Sequence, residues 1–125
     1  MTAATHPAGG VLVVDDDPDI REALTMLLEA EGFQAIAVAN GREALDHIAT
    51  HPHPCLIILD LMMPVMDGWQ FLEAKRTCRR LDGVPVIVCS AVVNPTLDER
   101  LRDVQGIFRK GNDPHHLVAL VRQFC

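Results

Sequence analysis

The sequence lacks the features that mark secreted, membrane-spanning and nucleic-acid-binding chains. No apolar stretch approaches the ~20 residues that a membrane-spanning helix needs. The opening MTAATHPAGG has neither the basic region nor the apolar core of a signal peptide. Only 11 Lys and Arg stand against 17 Asp and Glu, which gives a net charge of -6. A surface of this sign repels phosphate backbones, so we expect a cytoplasmic protein that binds neither nucleic acid nor membrane.

Paired cysteine motifs are also missing. Four cysteines are present, and no two stand at the Cys-x-x-Cys spacing of zinc and redox motifs. Cys55 and Cys89 lie inside apolar runs. We therefore expect buried free thiols, which are usual in a reducing compartment.

The length of 125 residues suits one domain, and an apolar content of 49% is enough for a hydrophobic core. The small and polar residues at the start predict a loose arm over residues 1–9. The remainder, residues 10–125, is predicted to be a single domain with no output domain attached.

Short apolar runs alternate with amphipathic segments along this domain. The runs predict strands, buried on both faces, at residues 11–14, 35–39, 55–59, 84–89 and 106–109. The amphipathic segments predict helices at residues 18–31, 41–50, 68–81, 96–104 and 113–124. Five such units in series predict an α/β fold, a doubly wound (βα)5 architecture with five parallel strands and helices on both faces.

Polar residues stand where the predicted strands end. Asp15, Asp16 and Asp17 follow the first strand, Asp60 follows the third, Ser90 the fourth and Lys110 the fifth. Ligands of such sheets bind at the carboxyl ends of the strands, so we expect most of these side chains to meet there. Asp17 is the exception, because its place before Pro18 suits a helix cap.

This set of residue types suits a phosphoryl group and a divalent cation. Clustered carboxylates resist ionising together, and a hard cation such as Mg²⁺, or Mn²⁺, removes that penalty. A hydroxyl and an ammonium add hydrogen bonds and charge for phosphoryl oxygens. Asp60 directly follows Leu56-Ile57-Ile58-Leu59, where burial without a partner would be costly.

The segments VLVVDDDPDIREALTMLLEAEGF and LIILDLMMPVMDGWQFL resemble the response-regulator receiver family of two-component signalling. The resemblance extends over almost the whole chain, and the acid pair, Asp60, the MPxMDG loop, Ser90 and Lys110 occur in family order. It implies a flavodoxin-like sheet of order 2-1-3-4-5. It also implies a phosphoacceptor that receives its phosphoryl group from a sensor histidine kinase or a phosphotransfer protein.

The resemblance implies a role for each site residue. Asp60 is the phosphoacceptor, and Ser90 and Lys110 contact the phosphoryl oxygens. The implied Mg²⁺ ligands are Asp15, Asp16, Asp60 and the backbone carbonyl of Met62. The domain is expected to be no enzyme in the ordinary sense, although it assists its own phosphorylation and slow dephosphorylation. It is expected to signal to an unknown downstream protein or within a phosphorelay, as a monomer or a weak phosphorylation-dependent dimer.

The chain departs from the family pattern near its fifth strand. Lys110 is followed by Gly111 where the family usually has Pro, and Ile107 stands where it usually has Tyr or Phe. Phe108, one residue later, is expected on the opposite face of the strand. These departures leave open an alternative, a degenerate receiver that binds partners as a scaffold without phosphorylation. A phosphohydrolase of the haloacid dehalogenase type is disfavoured because Met62 stands where that family needs a second Asp.

Overall fold

The strands form one parallel sheet of the predicted order. The computed structural model describes residues 9–91, 101 and 103–125. Their strands are β1 (Val11–Val14), β2 (Ala35–Val38), β3 (Leu56–Leu59), β4 (Val86–Ser90) and β5 (Gly106–Arg109), in the order β2-β1-β3-β4-β5. Their helices are α1 (Pro18–Ala30), α2 (Gly41–Thr50), α3 (Gly68–Arg76) and α4 (Pro114–Phe124). The predicted helix over residues 96–104 lies outside the described residues except at 101, 103 and 104.

Helices cover both faces of the sheet, and each face has its own apolar cluster. Leu12 and Val14 of β1 lie in the cluster that also contains residues of α2 and α3. Val11 and Val13 lie in the cluster that contains residues of α1 and α4. Successive side chains of a strand point to opposite faces, so a strand covered on both sides must be apolar throughout. This explains the unbroken apolar runs of β1 and β3.

Strand β2 does not fit the prediction of burial on both faces. It is an edge strand that pairs with β1 alone, and its Ile36 side chain is 47% exposed. The prediction was wrong here because an apolar run does not reveal which strand will lie at the edge.

The start of α1 follows the predicted capping, whereas the end of α3 differs from its prediction. Asp17 caps α1 by accepting the N–H of Asp19, and Pro18 occupies the first turn. The third helix was predicted to continue to residue 81 but ends at Arg76. Cys78 has extended backbone angles (φ -102°, ψ 108°), and a 3-10 turn, Arg79–Leu81, follows. Leu81, the last residue of this turn, lies fully inside the core.

The prediction of free thiols is wrong for two of the four cysteines. Cys55 and Cys125 form a disulfide across 70 positions of sequence, with their Cα atoms 5.6 Å apart. Cys78 and Cys89 are free. Spacing rules compare cysteines that are near in sequence, whereas these two meet because the end of α4 packs beside the start of β3. None of the helices in the described part of the chain is long and apolar enough to cross a membrane.

Candidate functional site

Two buried carboxylates lie side by side at the carboxyl end of the sheet. Val14 of β1 is level with Leu59 of β3 in the strand register, and the N–H of Asp60 donates to the carbonyl of Val14 at 2.9 Å. The next residues, Asp15 and Asp60, therefore emerge together from neighbouring strands. Their exposed fractions are only 2% and 4%.

The ammonium of Lys110 neutralises part of this charge. Its Nζ atom lies 2.9 Å from Oδ2 of Asp15 and 3.4 Å from Oδ2 of Asp60. The ammonium therefore lies closer to Asp15 than to Asp60. The N–H of Lys110 donates to the carbonyl of Ser90 at 3.0 Å, so β4 holds the start of the loop that carries Lys110.

Charge and burial shift the pKa values of two groups in the site. Burial raises the pKa of Asp60, and the neighbouring Asp15 raises it further. Lys110 and the N–H of Met62 oppose that rise without cancelling it. Burial lowers the pKa of Lys110, but the hydrogen bonds and charges of Asp15 and Asp60 outweigh burial and leave it above its ordinary value. The folded site therefore disfavours the ionised form of Asp60 and favours the charged form of Lys110.

Three carboxylates are placed so that they could share a metal ion. Oxygens of Asp15, Asp16 and Asp60 all lie within 4.8 Å of one another. Asp16 is exposed, whereas Oδ1 of Asp15 accepts the N–H of Asp17 at 2.9 Å. Oxygen ligands from one or two carboxylates, with water filling other positions, are what Mg²⁺ prefers.

The other two predicted site residues lie close to this group. The N–H of Met62 donates to Oδ1 of Asp60 at 3.4 Å, and the Met62 side chain is 65% exposed. The role of the Met62 carbonyl as a ligand stays a prediction. Ser90, at the end of β4, is 2% exposed and shares the edge of the sheet with Lys110.

The loop after β3 is held tightly against the site. A Cβ atom at Gly68 would lie 2.4 Å from the carbonyl oxygen of Asp60, so only glycine allows α3 to start this close to the acceptor. Asp67 caps α3 by accepting the N–H of Gln70 at 2.9 Å. Gln70 returns the bond by accepting the N–H of Asp67 at 3.0 Å, which completes a capping box.

Val65 in this loop has an unfavourable backbone conformation. Its φ is 67°, which is rare for a β-branched residue. The N–H of Met66 donates to the carbonyl of Pro64 at 2.7 Å and closes a three-residue turn around Val65. The side chain of Val65 is 80% exposed, so packing does not compensate for the strain.

We expect Val65→Asn to stabilise the fold by about 1 kcal/mol, because Asn tolerates positive φ much better than Val does. Thermal unfolding should show a midpoint about 4 °C higher. Val65→Ala is the control, since it removes the β-branch without supplying a side chain suited to this conformation, and should recover less. An unchanged or lower midpoint for Val65→Asn would contradict the strain.

The departures near β5 have visible structural consequences. Gly111 has a φ of 97°, which proline cannot adopt, so the loop after Lys110 follows a path that excludes the usual family residue. Ile107 packs against the α2 and α3 cluster, whereas Phe108 belongs to the α1 and α4 cluster. The expected opposite orientation of Phe108 is therefore confirmed.

Sequence reasoning missed Arg21. Its Nη1 atom donates to the backbone carbonyl of Asp15 at 2.8 Å and so ties the first turn of α1 to the end of β1. The cap at Asp17 could have indicated this contact. It places the start of α1 at Pro18, so that Arg21, one helical turn later, lies on the same side of the helix as the residue that follows β1.

Comparisons with known proteins agree with this geometry. The family described as "Response regulator receiver domain" matches residues 11–122. Response regulator Rre1 of Synechocystis is 37% identical over 90% of this chain and 49% of its own length. The DNA-binding response regulator MtrA of Mycolicibacterium smegmatis is 37% identical over 90% of this chain and 48% of its own. The chain thus spans about half the length of these two relatives. An uncharacterised 14.6 kDa protein of Leptolyngbya boryana is 34% identical over 92% of this chain and 88% of its own.

Solved structures show the same architecture. The chemotaxis protein CheY4 of Vibrio cholerae superposes with a TM-score of 0.83 at 27% identity, over 92% of this chain and 97% of that one. The response regulator TrrA of Thermotoga maritima, solved in complex with Mg²⁺-BeF, gives a TM-score of 0.83 at 28% identity over the same shares, 92% and 97%. With the fold, the strand-end carboxylates and the family match in agreement, the chain belongs to the response regulator receiver domain family.

Proposed function

We propose that this receiver domain accepts a phosphoryl group on Asp60 in a reaction that requires Mg²⁺. The observation that carries the proposal is the position of Asp60, which is buried between a second carboxylate, Asp15, and the ammonium of Lys110. A carboxylate in such surroundings is costly to the fold. A chemical role for Asp60 explains why a carboxylate stands at this costly position. Nucleophilic attack on phosphorus is the role that the neighbouring Asp15 and Lys110 suit.

The residues present fit a magnesium ion. Asp15, Asp16 and Asp60 would hold it, with the Met62 carbonyl as a further oxygen ligand, and TrrA, solved with Mg²⁺-BeF, supports the assignment. When bound, the cation supplies positive charge that lets neighbouring carboxylates ionise together and offsets charge on phosphoryl oxygens.

The chain's own residues provide the remaining steps. A carboxylate oxygen of Asp60 attacks the phosphorus of a donor such as a phosphohistidine, and the phosphorus–nitrogen bond breaks as the acyl phosphate forms. Lys110 already lies 3.4 Å from Asp60 and is placed to pair with the incoming phosphoryl oxygens. Ser90, buried at the end of β4, is placed to donate its hydroxyl to one of them.

The partners follow from the same chemistry. A sensor histidine kinase or a phosphotransfer protein would donate the group, and a downstream protein would respond, in the cytoplasm. MtrA is described as DNA-binding, but the net charge of -6 makes DNA an unfavourable partner for this chain. The arm over residues 1–9 stays a prediction because residues 1–8 lie outside the described part of the chain. The domain over residues 10–125 and a monomer or weak dimer also stay predictions.

The scaffold alternative retains one specific argument. Ile107 and Gly111 stand where the family usually has an aromatic residue and Pro, and a scaffold would bind its partners without the switch that those residues usually provide. This alternative predicts that the chain carries no phosphoryl group under conditions that load other receivers.

Intact mass after incubation with acetyl phosphate tests the proposal. We expect one phosphoryl adduct in the presence of Mg²⁺, and none when the cation is removed with a chelator, because Asp15, Asp16 and Asp60 then repel the donor. Reductive trapping followed by peptide mapping should place the adduct on Asp60. Absence of an adduct although Mg²⁺ binds would support the scaffold alternative.

A further inference from the structure

We propose that Cys55 and Cys125 form a reversible thiol–disulfide site that fastens the end of α4 to the start of β3. Three features support this site independently of the phosphoryl chemistry: the disulfide itself, the different surroundings of the four cysteines, and the other contacts that hold the last turn of α4.

The two sulfurs belong to elements that are far apart in sequence and adjacent in space. Cys55 lies just before β3, where its N–H donates to the carbonyl of Gly10 at 2.7 Å. Cys125 follows α4, and its N–H donates to the carbonyl of Val121 at 2.9 Å. Both backbones are therefore fixed by hydrogen bonds of their own, and their Cα separation of 5.6 Å is in the usual range for a disulfide.

Other interactions secure the same helix turn. An oxygen of Glu31 lies 2.5 Å from Nη2 of Arg122, and the guanidinium of Arg122 lies 5.4 Å from the centroid of the Phe33 ring. These contacts do not depend on the oxidation state of sulfur. We therefore expect the fold to survive reduction, with the end of α4 held less firmly.

The surroundings of the cysteines decide which sulfurs can react. Cys55 is 8% exposed, whereas Cys125 is half-buried, so Cys125 is the member of the pair that we expect a small thiol to attack. Cys89 is buried in β4, and burial raises its pKa to about 11, which leaves little of the reactive thiolate at neutral pH. Cys78 is free and half-buried but lies in the segment after α3, away from the pair.

Low-molecular-weight thiols are the reductant in this thiol–disulfide exchange. A small thiolate attacks the Cys125 sulfur and forms a mixed disulfide, while the bond to Cys55 breaks and the Cys55 thiolate takes up a proton. A second small thiolate then attacks the mixed disulfide, which releases the Cys125 thiolate, protonated in turn, and a small-molecule disulfide. Two electrons pass from the two small thiols to the protein, and the reverse sequence re-forms the bond.

The site lies at the end of the sheet opposite the acceptor. Asp60 is five positions beyond Cys55 along β3, or about 16 Å at the rise of a strand. Reduction should therefore change the anchoring of α4 without touching the carboxylate group.

Thiol counting after equilibration with glutathione tests the proposal. The full chain is incubated at several ratios of reduced to oxidised glutathione, denatured, alkylated and weighed. At oxidising ratios we expect two alkylated cysteines, Cys78 and Cys89, and at reducing ratios four, with the same curve approached from either side. Four reactive thiols at every ratio, or two at every ratio, would overturn a reversible bond.

Thermal unfolding provides the second measurement, because a bond that closes a 70-residue loop restricts the unfolded chain strongly. We expect reduction to lower the midpoint by about 10 °C. Cys125→Ser should show the lower midpoint under both conditions, while the control Cys78→Ser should behave like the wild type. Equal midpoints for oxidised and reduced wild type would overturn the role of the bond as a fastening.

Discussion

Asp60→Asn should abolish the phosphoryl adduct and at the same time stabilise the fold. The amide cannot act as the nucleophile, so incubation with acetyl phosphate and Mg²⁺ should leave the mass of the variant unchanged. In chelator at pH 7, the unfolding midpoint should rise by roughly 3–6 °C, on the order of 1 kcal/mol. The two effects have opposite signs, and this separates a chemical role for Asp60 from a structural one.

The gain in stability follows from the raised pKa of Asp60. An acid whose pKa is raised on folding is held more tightly as the neutral form in the folded chain than in the unfolded chain. Its favourable contribution is complete below the ordinary pKa of about 4 and is lost as the pH rises through the higher folded value. At neutral pH the charge therefore weakens the wild type, and Asn removes that charge while its oxygen can still accept the Met62 N–H.

The pH dependence makes this prediction specific. The midpoint difference between Asp60→Asn and wild type should be present at pH 7 and should disappear near pH 3, where Asp60 is neutral in both states. Asp46→Asn is the matched control, because the Asp46 side chain is 66% exposed and should give neither a gain in stability nor a loss of the adduct. A stability gain that is the same at every pH would contradict the electrostatic cause.

Much of the site could be predicted because it depends on where strands end. Parallel strands bring their carboxyl ends to one edge, so Asp15, Asp60 and Lys110 are gathered by topology alone, whatever their side chains do afterwards. The distances within the site could not be predicted in this way. Lys110 lies nearer to Asp15 than to Asp60, and the position of its ammonium depends on the geometry of the loop after β5, which the strand pattern does not encode.

The predictions that the structure contradicts all concern features that depend on contacts between distant segments. The bond between Cys55 and Cys125 depends on how α4 packs against the sheet, and no local spacing reports it. The exposed Ile36 depends on which strand lies at the edge. The early end of α3 accompanies the burial of Leu81 in the core, and the helical pattern, which continues past Thr77, does not report that packing.

Lys110→Ala should weaken both the fold and the chemistry. Removing the ammonium leaves two buried carboxylates facing each other, which should cost about 1–3 kcal/mol of unfolding free energy in chelator. This cost is smaller than the usual cost of breaking a fully buried ion pair, because the Lys110 side chain is 22% exposed. The rate of adduct formation should fall by about 10²–10³-fold, since the positive charge that lies 3.4 Å from Asp60 is lost.

The destabilisation has a characteristic pH profile. The pKa of Lys110 is raised on folding, so its contribution is fully present below the ordinary Lys value of about 10.4 and is lost as the pH rises through the folded value. Denaturant unfolding should therefore show a constant difference between Lys110→Ala and wild type from about pH 6 to pH 9 and a shrinking difference at more alkaline pH. Arg42→Ala is the surface control; the exposed pair that Arg42 forms with Asp46 should contribute less than about 0.5 kcal/mol.

A double-mutant cycle assigns the effect to the carboxylate group. In the Asp60→Asn background Lys110 faces one carboxylate, Asp15, instead of two, so Lys110→Ala should cost clearly less than it does in the wild type. Equal costs in the two backgrounds would mean that Lys110 stabilises the fold through its hydrocarbon chain, and the reduced rate of adduct formation would then need another cause. A smaller cost after Asp60→Asn would show that the same charge balance sets the stability of the site and its readiness to accept a phosphoryl group.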